Sequence, residues 1–274
     1  MAVLTTLLAV LVLAHGAEQE ARSKPPMAAG FRYEPGRIPV GRVYRYAKSN
    51  LDGSNPSEIA LYLASETRIE ALKFHPGAPE ATLVVAEMDW EVASVRAFRT
   101  YRLDEHGDRT LAAELETSAD RKRLVAKVGG QELSCPLERF PWHSYDFDFA
   151  SLNVALRFLV EPEGETELAI VDPVQGPQGP ELVAKGMVVL AYESVEERAG
   201  LDCRRYVLDG PGLENRGGSL WASRGDEVFL VAFEVDLPDE PGMSSGKLEW
   251  QRSETMSGEE WEAFVSALGA KERR

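Results

Sequence analysis

The chain has 274 residues, 44% of them hydrophobic and 27% charged, with a formal net charge of −15. These values fit a globular protein and exclude wholesale disorder. The acidic balance also argues against nucleic acid or an anionic membrane as a partner of the whole molecule, because both repel a surface of that sign.

At the N-terminus, Val3 to Leu13 is apolar apart from Thr5 and Thr6. That length suits the core of a signal peptide and is too short to cross a bilayer as a helix. Ala14 and Gly16 supply the small residues of a cleavage site. Residues 1–16 are therefore expected to be a signal peptide, and the mature chain is expected to be soluble in a periplasm or outside the cell. Residues 17–40 are polar and broken by Pro25, Pro26, Pro35 and Pro39, which predicts a flexible N-terminal arm. Residues 41–270 read as a single β-rich domain.

Strand patterns begin at Arg42–Ala47 and continue through Ile59–Leu63, Ile69–Phe74, Thr82–Trp90, Val95–Leu103 and Leu111–Thr117. Glu105–Asp108 marks a hairpin turn. Arg123–Val128 and Glu132–Cys135 flank Gly129-Gly130, a two-residue loop of the tight-hairpin kind. The short spacing between turns predicts an antiparallel sheet, sandwich or barrel.

The middle of the chain differs. An aromatic-rich stretch, Phe140 to Phe149, leads into Leu152, Ala155, Leu156 and Leu159 at helical spacing. This predicts an internal amphipathic helix capped by Asp148 or Ser151. Val174–Pro180 (VQGPQGP) reads as a flexible loop. Strand patterns resume over Leu182–Tyr192, Asp202–Leu208, Ser219–Ser223, Val228–Leu237 and Lys247–Arg252, with Arg224-Gly225-Asp226 as a hairpin turn. Ser257 and Glu260 form a capping box before a C-terminal helix with Trp261, Phe264, Val265 and Leu268 on its apolar face. The predicted fold is mainly β, a large curved antiparallel sheet or half-barrel with an internal helix and a C-terminal helix.

Chemical motifs are sparse. His75, His106 and His143 are far apart in sequence, and neither an HExxH, a CxxC nor a calcium loop is present, so no metal or cofactor is expected. No G-x-S-x-G nucleophile turn occurs, and no catalytic residue is assigned. Asp146 and Asp148 lie two apart beside Tyr145 and His143, the one place where paired carboxylates could do acid–base work. Their competing role is loop hydrogen bonding ahead of the helix. The Gly- and Pro-rich run Leu208–Trp221 makes a shaped loop whose Asp209, Asn215 and Arg216, with Trp221, are candidate ligand contacts. An internal Arg216–carboxylate pair is the alternative there. Cys135 and Cys203 are candidates for one disulfide in an oxidising compartment, worth about 4 kcal/mol if formed.

Three segments carry a resemblance: His143–Val154 (HSYDFDFASLNV), Gly200–Trp221 (GLDCRRYVLDGPGLENRGGSLW) and Leu237–Leu248 (LPDEPGMSSGKL). They resemble a family of exported bacterial proteins of unknown function. That family is similar in architecture to the lipoprotein-localisation carriers, in which a curved antiparallel sheet wraps a helix and shelters a lipid. The resemblance implies a non-enzymatic envelope protein that binds a lipid, an acylated protein or another apolar molecule in a curved β half-barrel. A structural or protein-interaction module of the envelope is the alternative, and a hydrolase using Asp146 or Asp148 the third reading.

Overall fold

A computed structural model describes residues 30–75, 78, 80–238 and 242–268. The expected signal peptide and the first part of the expected arm lie outside the described residues. Eight strands come first: β1 (Arg42–Ser49), β2 (Ser57–Leu63), β3 (Arg68–Phe74), β4 (Ala81–Asp89), β5 (Ser94–Leu103), β6 (Arg109–Thr117), β7 (Arg123–Val128) and β8 (Gln131–Pro136). A two-residue strand, β9 (Trp142–His143), then enters the internal helix α1 (Ala150–Ala155), which tightens into a 3-10 turn over Leu156–Phe158. The chain continues with β10 (Glu165–Gly176), β11 (Gly179–Arg198), β12 (Leu201–Asp209), β13 (Gly218–Ser223), β14 (Leu230–Val235), β15 (Gly246–Thr255) and the terminal helix α2 (Gly258–Leu268).

The fifteen strands of the described residues join one sheet, in the order β8-β7-β6-β5-β4-β3-β2-β1-β15-β14-β13-β12-β11-β10-β9. Each neighbouring pair is antiparallel except β9 on β10. The two strand-rich halves of the sequence meet where β1 pairs with β15. A twisted sheet of this width must curl. Here β8 comes up against β11 and β9 against β5 without closing a barrel.

The period-2 patterns explain how the sheet is covered on both sides. In β1, Tyr44, Tyr46 and Lys48 point inward while Val43 and Arg45 point outward. The register carries the inward row across the neighbouring strands: Tyr46 opposes Ile59, Ile59 opposes Lys73, Lys73 opposes Thr82 and Thr82 opposes Arg102. On the outer face Val43, Ala60, Tyr62, Leu72, Leu83 and Leu103 form a small core under Trp261 and Val265 of α2. Trp261 stacks on Tyr62 with ring centroids 4.9 Å apart and donates from its indole to Glu70 at 2.7 Å. The predicted capping box is formed: the Ser257 amide donates to the Glu260 carboxylate at 2.7 Å, and the Glu260 amide donates to the Ser257 hydroxyl at 3.2 Å.

On the concave face α1 and its 3-10 extension fill the space under the curl. Every residue from Ala150 to Phe158 is buried. They join one large cluster with Tyr44, Leu61, Phe98, Trp142, Phe149, Phe233 and residues of nearly every strand.

Three expectations are corrected. Val174–Pro180 is no loop: it is the tip of the long β10–β11 hairpin, with Val174 opposite Glu181 and Gln175 opposite Pro180. Proline fits there because β10 is paired with β9 only at Ala169 and Ile170, and β11 meets β12 only from Val189 onward. The prolines therefore remove no ladder hydrogen bond from an occupied edge. Second, the described part of the N-terminal arm is packed down. Phe31 bridges to Leu159, Ile38 is buried, and the Arg32 amide donates to the Phe158 carbonyl at 2.8 Å. Third, Cys135 and Cys203 are free, buried thiols. Cys135 lies opposite Leu124 on β7, whereas Cys203 lies opposite Glu196 by the far β11–β12 turn. Edge strand β8 reaches β11 at its other end, where Gln131 approaches Gly179.

Candidate functional site

The segment between β9 and α1, Ser144–Phe149, carries the densest group of buried charge. Asp148 is 3% exposed at its side chain and pairs with two lysines: Lys48 of β1 at 2.6 Å and Lys73 of β3. The Lys48 side chain is itself 2% exposed. Lys73 also donates to the Asp146 carbonyl at 2.7 Å. On the other flank, Asp172 of β10 accepts from the Ser144 hydroxyl at 2.7 Å and from the Asp146 amide at 3.1 Å, with Lys185 of β11 at 3.6 Å. Three aspartates and three lysines from four strands and one loop thus converge.

The local backbone is shaped for this. Asp148 and Phe149 adopt left-handed φ values of 51° and 52°, a conformation that costs non-glycine residues about 1 kcal/mol or more each. The expected cap is absent. Phe149 occupies the N-cap position of α1 with no side-chain hydrogen bond, because the Asp148 carboxylate is committed to the lysines. Gly246 on β15 leaves room for Tyr145: a Cβ there would collide with the Tyr145 hydroxyl, which donates to the Leu237 carbonyl at 2.7 Å. Further along, the Asn153 amide donates to the Tyr46 hydroxyl at 2.8 Å and its carbonyl accepts from the Leu230 amide at 2.9 Å. Tyr46 closes that ring by donating to the Leu230 carbonyl at 2.8 Å. Segment 144–158 is therefore tied to β1, β3, β10, β14 and the chain after β14.

The electrostatics divide the aspartates. Burial pushes the Asp148 carboxyl up, but Lys48 and Lys73 outweigh it and hold it below the ordinary range. Burial raises Asp146 to about 6; Lys73 opposes the rise, and Asp172 and Asp148 add to it. Burial also raises Asp172, against the hydrogen bond from Ser144 and the charge of Lys185. His143 is driven down to about 3 by burial, so it is neutral. Its Nδ1 lies 2.8 Å from the Ser151 hydroxyl. A Ser–His pair of that length is what nucleophilic catalysis uses, but both residues, Ser151 on α1 and His143 on β9, are fully buried and offer a substrate no approach.

The candidate contacts fall into separate places. Tyr145, Asp146 and Asp148 belong to the segment over Lys48 and Lys73. Asp209, Asn215 and Arg216 are exposed on a 3-10 turn, Pro211–Leu213, and its flanks. That turn is anchored by buried Leu213 and by Gly212, where a Cβ would come within 2.9 Å of Ile170. Arg216 pairs with Glu214 at 3.5 Å and donates to the Asp236 carbonyl at 3.2 Å, the internal pairing weighed from sequence. Trp221 lies in β13 rather than in the loop, 5% exposed, with its indole donating to Glu196 at 3.0 Å. His75 and His106 are exposed, and among the described residues no three His, Cys, Asp or Glu side chains gather as a metal site would require.

Openings lie at the periphery. One of about 470 Å³ runs over the charged outward residues of β5–β7, including Arg99, Glu114, Glu116 and Lys127. One of about 310 Å³ adjoins it by Arg121 and Phe140. Another of about 310 Å³ opens at the inner rim beside Lys48 and Lys73.

No protein-family model matches the chain. A search of curated proteins also finds no relative. Among solved structures, a beta-barrel-like protein of a domain of unknown function (DUF1849) from Brucella abortus is similar over 79% of this chain and 98% of its own, at 9% identity and a TM-score of 0.41. A likeness of that size carries no argument about function.

Lys48, Lys73, Asp172, Asn153 and Tyr46 were not singled out by sequence. They lie at separations such as 100 residues (Lys48 to Asp148), and only the sheet register brings them together. The one available signal was Lys48 following Tyr44 and Tyr46, and Lys73 following Ile69 and Ala71, at the same period-2 positions of their strands.

Proposed function

We propose that this protein is a non-catalytic interaction module, exported to the cell envelope, whose rigid curved sheet presents loops and outer surfaces to a partner. One observation carries the reading: the concave face is filled by α1, which Asp148 clamps to Lys48 and Lys73. An apolar ligand held as in a lipid carrier needs that space. Admitting it means displacing segment 144–158 and separating buried charges, which costs several kcal/mol. The non-catalytic part is supported by the burial of His143, Ser151 and Asp148, which shuts the Ser–His pair and that carboxylate off from a substrate. Export rests on the apolar run Val3–Leu13.

The test is native mass spectrometry with lipid extraction on mature protein recovered from the exported fraction. The reading predicts cleavage near Gly16, an apo mass and no adduct on adding phospholipids or fatty acids. A stoichiometric apolar adduct would restore the carrier reading.

A further inference from the structure

The inner face of β1–β5 is apolar through its middle and changes character at one rim. There the register aligns Lys48 with Ser57, and Lys73 with Thr82 and then Arg102. These five side chains come from five adjacent strands and line the opening of about 310 Å³, with Glu80 on its wall. That volume is at the lower end of small-ligand sites.

The donors are of two kinds. Lys73 uses two of its three N–H groups on Asp148 and on the Asp146 carbonyl, which leaves one. Arg102 is exposed and forms no ion pair among the described residues, so its planar fork is available to an oxyanion. Ser57 and Thr82 add hydroxyls. The carboxylate that offsets the lysines, Asp148, lies behind them under the loop, and among the described residues Glu80 is the one acidic side chain lining the opening. On a chain of net charge −15, three cations mounted on rigid strands around one opening stand out from the background.

We propose that this rim is a binding site for a small molecule bearing a phosphate-type oxyanion, gripped by Arg102 and Lys73 with Thr82 and Ser57 as hydroxyl donors. Lys48 and Asp148 fix the Lys73 ammonium in place, so the clamp that holds α1 also orients the site. The free anion and a phospholipid headgroup share this chemistry.

The experiment titrates inorganic phosphate into the 15N-labelled mature protein at constant ionic strength, with chloride as control, and follows the Ser57, Thr82 and Arg102 amides. A parallel arm uses phosphatidylglycerol vesicles at equal phosphate concentration. Saturable phosphate shifts at those amides are expected. Arg102→Gln, exposed and expected to melt with wild type, should weaken binding at least fivefold, and Glu80→Gln should tighten it by removing the opposing charge. Binding to inorganic phosphate alone assigns a free small anion, and co-flotation with vesicles that Arg102→Gln abolishes assigns a headgroup. No saturable shift in either arm, or equal binding by Arg102→Gln, overturns the proposal. It shares the Asp148 clamp with the packed interior, but the two are read separately: phosphate shifts at Arg102 test this site, and an apolar adduct tests the interior.

Discussion

Lys48 and Asp148 are 100 positions apart in the chain and pair at 2.6 Å, with side chains only 2% and 3% exposed. Burial on that scale makes the pair asymmetric in its consequences. Removing one partner of a buried ion pair leaves an uncompensated charge and costs about 3–5 kcal/mol. Asp148→Asn removes the carboxylate that two lysines share and is expected at the upper end. Lys48→Met leaves Asp148 still paired with Lys73 and is expected to cost clearly less. Urea unfolding of both variants checks the order, and equal losses would contradict the shared-carboxylate arrangement.

Asp146 gives a pH signature of unusual sign. Its carboxyl is raised from 3.8 in the unfolded chain to about 6 in the folded one. The folded state then binds the proton more tightly, so this group's contribution to stability falls as pH rises from about 4 to 6. Asp146→Asn is expected to remove that fall and to raise the midpoint of thermal unfolding at pH 7. A lowered midpoint would mean that the ionised carboxylate is a needed partner of Lys73.

His143 works in the opposite direction. Its imidazole is lowered from 6.5 to about 3, so below pH 6.5 the unfolded chain takes up a proton that the folded chain refuses. Stability is then lost progressively as pH falls from 6.5 toward 3. His143→Gln, which retains a polar atom for Ser151, is expected to flatten the acid limb of the stability curve. Chemical unfolding between pH 4 and 7 reads this directly, and an unchanged slope would place the acid sensitivity elsewhere.

The capping box predicts a smaller and local effect. Ser257→Ala removes the acceptor for the Glu260 amide and should cost about 1 kcal/mol. Because Trp261 and Val265 hold α2 on the outer face, the loss should appear as faster hydrogen exchange in α2, with β13 and β14 unchanged.

The sequence was legible where structure is local. Ser257 with Glu260, Gly129-Gly130 and Arg224–Asp226 each define a cap or turn through their own chemistry, and each is found in place. Legibility failed where a strand runs on beyond its paired neighbour: Pro180 read as a loop residue, yet it lies in β11 ahead of the stretch that pairs with β12. It failed again at Phe31 and Ile38, where nearby prolines suggested a loose arm although Phe31 bridges to Leu159 and both side chains join the main core. For the site, Asp146 and Asp148 stood out, but their role depended on Lys48, Lys73 and Asp172, which no spacing in the sequence connects to them.

The central claim is that segment 144–158 is a fixed part of the core rather than a removable plug. Native-state hydrogen exchange on Asp148–Phe158 tests it most directly. The account predicts that these amides exchange only through global unfolding, as slowly as those of β1 and β14, and that Asp148→Asn accelerates them together. Fast exchange of this segment while β1 and β14 stay protected would contradict the account and reopen the concave face to a ligand.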